Sequence, residues 1–172
     1  MTRWKFIDEA GAHLGLTRLY GWALPGERIP EAAPAGGGKR YTLVSTLTLE
    51  GLRAPWLIPG TMTSEAFLVY IQQCLAPELL PGDVVVIDNA RAHLNPQMRA
   101  AIEAYGATLL YLPPYSPDLN PIELCWSKFK ALLRQAKART AEALIAASEL
   151  AFATISAQDA RHSFVHCGYS IP

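Results

Sequence analysis

The chain has 172 residues, 51% of them hydrophobic, and its 15 basic residues balance 15 acidic residues to a formal net charge of zero. This length suits one well-packed domain, and the neutral total excludes the broad positive field of a protein that holds nucleic acid over its whole surface. No stretch approaches the roughly 20 apolar residues that cross a bilayer, and the three cysteines Cys74, Cys125 and Cys167 form no disulfide or zinc pattern, so we expect a cytoplasmic protein without a membrane partner.

The first third of the chain has the pattern of an antiparallel meander. Residues 4–8 predict a strand that ends at Asp8, and residues 16–23 have a second strand-like pattern. A turn at Pro25-Gly26 follows, and the glycine-rich residues 35–39 predict a loop. Residues 41–49 then alternate polar and apolar side chains with period two, which is typical of a half-buried strand.

The rest of the chain alternates helices with strands. The helices are predicted over residues 63–75, 96–105 and 121–163, the last with a break near Arg139-Thr140, and the strands over residues 83–87 and 108–112. The run at 83–87 is continuous and β-branched, as in a strand buried on both faces. Strands first, then alternation, then helices indicate an α/β fold: a mixed sheet, an antiparallel meander followed by parallel strands, flanked by helices.

Three acidic residues stand where such a fold exposes catalytic groups. Asp8 and Asp88 follow apolar strands, and Glu123 follows a proline-rich connection and opens a helix. Carboxylates are the ligands of hard divalent cations, and a pair of such ions can cut and join phosphodiesters. Each residue also has a structural interpretation, because an Asp after a strand often forms a turn, and Glu123 stands three residues after Asn120 as in a capping box.

The helix that starts near Glu123 combines an apolar stripe with a basic face. At about 100° per residue, Ser127, Lys130, Arg134 and Lys137 fall within about 40° of the Glu123 direction. A basic face that begins at a carboxylate can lie along a phosphate backbone while the carboxylate reaches a metal ion. The alternative is a solvated surface without a ligand.

The residues after Asp88 offer further polar groups. Arg91 is placed to contact a phosphate, and Asn89 and His93 are placed to orient a ligating carboxylate, although a histidine after a strand is also a common surface residue. Glu9 directly follows Asp8, and side chains alternate along a strand. We therefore expect Glu9 on the opposite face and exclude it from the ligands.

Three sequence blocks, in this order, resemble the catalytic domain of mariner-type DDE transposases, in particular their bacterial insertion-sequence branch. These are residues 6–9 (FIDE), 86–93 (VIDNARAH) and 111–126 (YLPPYSPDLNPIELCW). Residues 89–122 separate Asp88 from Glu123, which is 34 residues (122 − 89 + 1), a spacing characteristic of that branch. The resemblance extends over essentially the whole chain.

The resemblance implies both a fold and a reaction. The fold is ribonuclease-H-like, and Asp8, Asp88 and Glu123 match the family's acidic triad, which holds two Mg²⁺ or Mn²⁺ ions. The reaction is the release of transposon ends and the attack of the freed 3′-hydroxyl on target DNA, usually at TA. A homodimer on DNA is implied as well, and in a bacterial cell the protein would associate with the nucleoid.

One departure from the family concerns domain organisation. Residues 1–172 predict a single catalytic domain, and the helix-turn-helix module of full-length members has no counterpart in it. The chain is then either the second frame of a split gene, which works with an upstream helix-turn-helix polypeptide or a frameshift fusion, or a truncated remnant.

Two other functions compete with the transposase. One is a non-catalytic binding or assembly partner derived from a transposase. The other is a phosphatase with Asp8 as nucleophile, but such an enzyme would need a second Asp two residues later, where this chain has Ala10.

Overall fold

The computed structural model describes residues 3–32 and 34–171. Its centre is a sheet of five strands, which are β1 (Arg3–His13), β2 (Arg40–Thr48), β3 (Gly51–Pro59), β4 (Asp83–Ile87) and β5 (Thr108–Tyr111). The strand order across the sheet is β3-β2-β1-β4-β5. β1 and β3 each pair with β2 in antiparallel fashion, whereas β4 is parallel to both β1 and β5. The predicted mixed sheet, meander first and parallel strands second, is confirmed.

Five α-helices cover the two faces of the sheet. They are α1 (Ser64–Tyr70), α2 (Pro96–Glu103), α3 (Pro121–Ala136), α4 (Ala141–Thr154) and α5 (Ala157–His166), and a π-helical segment (Ile71–Leu75) extends α1. Phe6 and Ala10 of β1 pack into the core on the α3, α4 and α5 side. Ile7, one position along, packs into the core beneath α1 and α2. Alternation along β1 thus assigns each side chain to one of two helical layers.

The meander is completed by a strand that the sequence did not predict. β3 contains Pro55, and a proline inside a strand argues against a central position because it cannot donate to the ladder. β3 lies at the edge of the sheet, where this is tolerated. The pairing with β2 shifts register between Val44 and Thr46, and Ala54 has a φ of 46° beside the proline. Because of the proline and this irregular backbone, the sequence of β3 lacks the regular pattern from which a strand is predicted.

The predicted strand at residues 16–23 is wrong. β1 has β2 on one side and β4 on the other, so this segment has no free edge of β1 to pair with. It forms instead part of a long exposed connection from β1 to β2, which we call the β1–β2 arm (residues 14–39). Tyr20 and Trp22 are 89% and 102% exposed, and the turn at Pro25-Gly26 and the loop at 35–39 are present as predicted.

The C-terminal helical region contains one more break than predicted. The predicted break near Arg139-Thr140 is the connection between α3 and α4. A second break precedes Ser156, whose side chain accepts the Asp159 N–H while the Asp159 side chain accepts the Ser156 N–H. This capping box starts α5. None of the described helices has the length and apolarity to cross a bilayer, and the three cysteines form no disulfide.

Removing the cap of α1 should destabilise the layer that supports the candidate site. The Thr63 hydroxyl accepts the Ala66 N–H at 3.2 Å, as the sequence predicts for an N-cap. Thr63→Ala loses this acceptor, so we expect the free energy of unfolding to fall by about 1 kcal/mol in urea titrations. Thr63→Ser keeps the hydroxyl and should stay within a few tenths of a kcal/mol of the unchanged protein; an equal loss in both variants would contradict the capping role.

Candidate active site

Parallel pairing of β1 with β4 brings the two aspartates side by side. Ile7 is in register with Ile87, so Asp8 and Asp88 come next on neighbouring strands. Asp88 directly follows the end of β4, as predicted. The prediction that Asp8 ends its strand is wrong, because β1 continues to His13 through its antiparallel pairing with β2. Asp8 thus lies at the point where β1 loses its parallel neighbour, the kind of position at which α/β sheets often carry functional groups.

The carboxyl group of Asp8 is buried, with only 7% of the residue exposed. Its Oδ2 atom has no hydrogen-bond partner among the described residues. Burial, together with the negative charges of Glu123, Glu9 and Asp88, raises the pKa of Asp8 to about 8, and a hydrogen bond from the Glu9 backbone opposes this rise only in part. A carboxylate in such surroundings is stabilised when a proton or a cation neutralises its charge.

Asp88 has the opposite environment. Its Oδ1 atom accepts a hydrogen bond from His93 Nδ1 at 2.5 Å and another from the Ala90 N–H at 3.0 Å. The bond from His93 is the main reason that the pKa of Asp88 lies below its usual range. The pKa values of two neighbouring aspartates are therefore shifted in opposite directions, a pattern common at functional sites.

His93 lies beneath the site and contacts two carboxylates. Besides Asp88, its Nε2 atom bonds Glu9 Oε1 at 2.9 Å. Burial lowers the pKa of His93, but the hydrogen bonds to Asp88 and Glu9 outweigh this and raise the pKa to about 9. Glu9 follows Asp8 on the strand and faces the opposite helical layer, as expected; what the sequence did not reveal is its contact with a histidine 84 residues away.

Glu123 lies in the first turn of α3 with its side chain exposed. The capping-box interpretation is wrong, because Asn120 makes no side-chain capping hydrogen bond. Instead the Asn120 Oδ1 atom is buried without a partner in the described part of the chain. Glu123 is an acidic residue in the first turn, which suits the helix dipole, and its charge also raises the pKa of Asp8.

A cleft of about 470 Å³ opens beside Asp88 and Glu123. Two sequence blocks line it, the one after β4 and the proline-rich connection. The lining residues are Asp88, Asn89, Ala90, Arg91, residues 112–117, Asn120 and Glu123. Both Asn89 and Arg91 are exposed at its wall, so the structure brings them beside Asp88 and Glu123.

The basic face of α3 is present in part. Ile122, Trp126, Phe129 and Leu133 are buried, which confirms the apolar stripe. Lys130 and Arg134 are partly exposed on the helix. Lys137, however, lies after the last turn with a left-handed φ of 51° and pairs with Glu31 of the β1–β2 arm, so the helical geometry assumed for it is wrong.

Asp8, Asp88 and Glu123 offer the oxygen ligands of a cation site, but their side chains are spread apart. Among the described residues, no three His, Cys, Asp or Glu side chains are close enough together to enclose a metal ion. The donors themselves fit a hard divalent cation, since they are carboxylate oxygens and one of them, Asp8 Oδ2, is buried and unsatisfied.

Sequence comparison identifies one family and one curated relative. A profile of the family described as DDE superfamily endonuclease matches residues 3–145. The uncharacterized protein y4pE/y4sA of Sinorhizobium fredii (strain NBRC 101917 / NGR234) is 40% identical over 43 residues, which is 25% of this chain and 30% of that protein.

Structure comparison finds the same fold in Mos1 transposase. The paired-end complex with the left transposon end aligns with a TM-score of 0.76 at 19% identity, over 96% of this chain and 52% of that chain. Mariner Mos1 paired-end complexes with Mn and with Mg give TM-scores of 0.70 and 0.69, also at 19% identity and over 96% of this chain, covering 52% and 53% of theirs. The chain thus spans about half of these transposase chains, and the predicted ribonuclease-H-like fold is confirmed.

Proposed function

The chain belongs to the DDE superfamily endonuclease family, and from that premise we propose that it is the catalytic domain of a DNA transposase. It would cleave the ends of a transposable element and join the freed 3′-hydroxyl to target DNA. The Mos1 paired-end complex that shares its fold contains the left transposon end, which supports DNA as the partner.

The observation that carries this proposal is the state of Asp8. A carboxyl group that is buried, has an unpartnered oxygen and experiences the charges of Glu123 and Asp88 is unfavourable in a purely structural role. We propose that Asp8, Asp88 and Glu123 hold two Mg²⁺ or Mn²⁺ ions between them. Mos1 complexes with both metals support the choice of ions.

When bound, such ions supply Lewis-acid activation of the attacking hydroxyl and stabilise the leaving oxygen of an in-line displacement. The chain itself supplies orientation. The hydrogen bonds from His93 and Ala90 hold one oxygen of Asp88, and Glu123 is presented by the rigid first turn of α3. Arg91 and Asn89, exposed at the cleft wall, would bind the phosphates that flank the scissile bond.

DNA leaving the cleft would follow α3. Lys130 and Arg134 would contact its phosphates, and Lys137 could join them only by giving up its pair with Glu31. For Lys130→Ala and Arg134→Ala we expect weaker DNA binding. The plot of log K against log salt should also become less steep, by about 1 for each lost phosphate contact. Fluorescence anisotropy of a labelled duplex at several salt concentrations measures both.

Lys128→Ala is the matched control, because Lys128 lies on the same helix but pairs with Asp159 at 2.7 Å. It should leave the salt slope unchanged. The assignment of the α3 face fails if Lys128→Ala lowers the slope as much as the other two variants do.

Four finer points belong to the same proposal. Target joining would occur at TA sites, and two copies would act together on paired ends. Residues 1–172 would form one catalytic unit, with terminal-repeat recognition supplied by a helix-turn-helix polypeptide encoded upstream or fused by frameshifting. In the cell, the protein would be in the cytoplasm and on the nucleoid when bound to DNA.

The proposal is tested by Mn²⁺-dependent joining of a branched, pre-processed transposon end, a substrate that reduces the need for terminal-repeat recognition. We expect joined products that require the metal and vanish with EDTA. If neither this chain nor its fusion to the upstream frame yields product, the chain is a non-catalytic relative of the enzyme.

A further inference from the structure

A continuous bridge of three side chains passes beneath the candidate site. Glu9 Oε1 contacts His93 Nε2 at 2.9 Å, and His93 Nδ1 contacts Asp88 Oδ1 at 2.5 Å. Exposure falls and rises along the bridge, with 18% of the Glu9 side chain, 2% of His93 and 44% of Asp88 accessible. One end of the bridge is thus in the cleft and the other is on the opposite face of the sheet.

The imidazole ring is held at both nitrogens and against one aromatic ring, and the His93 backbone is held separately. Each ring nitrogen faces a carboxylate oxygen, so the ring donates an N–H at both ends. The Phe67 ring lies 4.4 Å away between centroids, and the Tyr111 hydroxyl donates to the His93 carbonyl at 3.0 Å. With the ring held, Asp88 Oδ1 keeps two hydrogen bonds, and Oδ2 has none from the described residues and is left for a ligand.

Glu9 is the far anchor of this arrangement. Because side chains alternate along β1, Glu9 faces the layer of α1 while Asp8 faces that of α3. It therefore does not compete for ligands in the cleft. Without its carboxylate, His93 would carry a buried N–H with no acceptor, and the ring could turn to regain one and release Asp88.

Building on the function proposed above, we propose that Glu9 is a positioning residue, which holds Asp88 in its metal-binding rotamer through His93. A ligand's hydrogen-bond partners set its orientation, and their removal typically costs about 10- to 100-fold in metal affinity. Here the partner of the ligand is itself oriented by a third residue on the other face of the sheet.

The test is direct Mn²⁺ titration, followed by the paramagnetic resonance of the free ion, on the unchanged chain, Glu9→Ala, Glu9→Gln and Glu103→Gln. We expect Glu9→Ala to bind Mn²⁺ about 10- to 100-fold more weakly. Glu9→Gln retains an oxygen that can accept the Nε2 proton and should recover most of the affinity. Glu103→Gln removes an exposed carboxylate that pairs with Arg99 on α2, and should bind as the unchanged chain does.

Imidazole ¹H–¹⁵N spectra report on the bridge without metal or DNA. The chain has four histidines, and comparison with His93→Gln identifies the signals of His93. We expect two slowly exchanging, strongly downfield N–H protons from His93, of which the Nε2 proton is lost in Glu9→Ala and retained in Glu9→Gln.

The outcomes separate the two proposals. Equal Mn²⁺ affinity in all four proteins would overturn the role of Glu9 and leave the proposed function standing. No Mn²⁺ binding by the unchanged chain would overturn the proposed metal site, and the positioning role with it. If Glu9→Ala weakens binding but Glu9→Gln does not restore it, the oxygen contact to His93 is not the cause, and the proposal is also overturned.

Discussion

Asp88→Asn is expected to reduce strand joining by about 10³-fold or more, which corresponds to roughly 4 kcal/mol of lost transition-state stabilisation. The amide cannot supply the negative charge that holds a divalent cation. Its oxygen can still accept from His93 Nδ1 and from the Ala90 N–H, so the fold should persist. The measurement is the rate of Mn²⁺-dependent joining of the pre-processed end, with circular dichroism to verify folding.

Glu103→Gln is the control for this prediction as well, since it removes an exposed carboxylate from α2. Its joining rate should stay within about twofold of the unchanged chain, as for a typical surface substitution. Joining by Asp88→Asn at the unchanged rate would remove Asp88 from the triad.

Asp8→Asn is expected to stabilise the metal-free protein while abolishing its activity. The pKa of Asp8 rises from 3.8 to about 8 on folding, so the folded state binds its proton more tightly than the unfolded state does. The free energy of unfolding therefore falls as pH rises from about 4 to about 8. The neutral amide escapes this loss, which amounts to about 5 kcal/mol at pH 8 at about 1.4 kcal/mol for each pKa unit, and the Tm of Asp8→Asn should be higher by about 10 °C or more.

The comparison is made by thermal unfolding with EDTA at pH 5 and pH 8. The advantage of Asp8→Asn should be small at pH 5 and large at pH 8, and Mn²⁺ should reduce it by stabilising only the unchanged chain. Asp88→Asn is the internal control, because the pKa of Asp88 is lowered and its ionised form stabilises the fold. The stability advantage of Asp8→Asn over the unchanged chain should be larger at pH 8 than at pH 5. If it is the same at both pH values, the pKa of Asp8 is not raised by folding.

Local sequence patterns predicted those parts of the fold that depend on local rules. The strand predicted from the β-branched run at residues 83–87 has the same bounds in the structure, where it is β4. Thr63 caps α1 as predicted, and the predicted apolar stripe of α3 is buried at Ile122, Trp126 and Phe129. Each of these is decided by neighbours within a few positions along the chain. The assignment of Asp8, Asp88 and Glu123 to a metal site remains a prediction, although Asp88 does directly follow the end of β4 as its local pattern indicated.

What the sequence could not predict depends on pairing between distant segments. β3 carries a proline that only an edge position permits, and the strand-like residues 16–23 lack an edge to join. Glu9 was assigned to the correct face, yet its hydrogen bond to His93 follows from the packing of the 3₁₀ turn Arg91–His93 against β1. No periodicity in the chain encodes contacts of that kind.

β1 and β4 are neighbours in the sheet, but residues 14–82 separate them in the chain. This separation determines at what stage of synthesis the site can form. On the ribosome, β1, β2 and β3 can pair as soon as residue 59 has emerged, because hairpins form between neighbours in sequence. Asp8 receives its neighbour only after β4 has been made, and Glu123 comes still later. A growing chain thus carries the three-stranded framework long before it carries the acidic cluster.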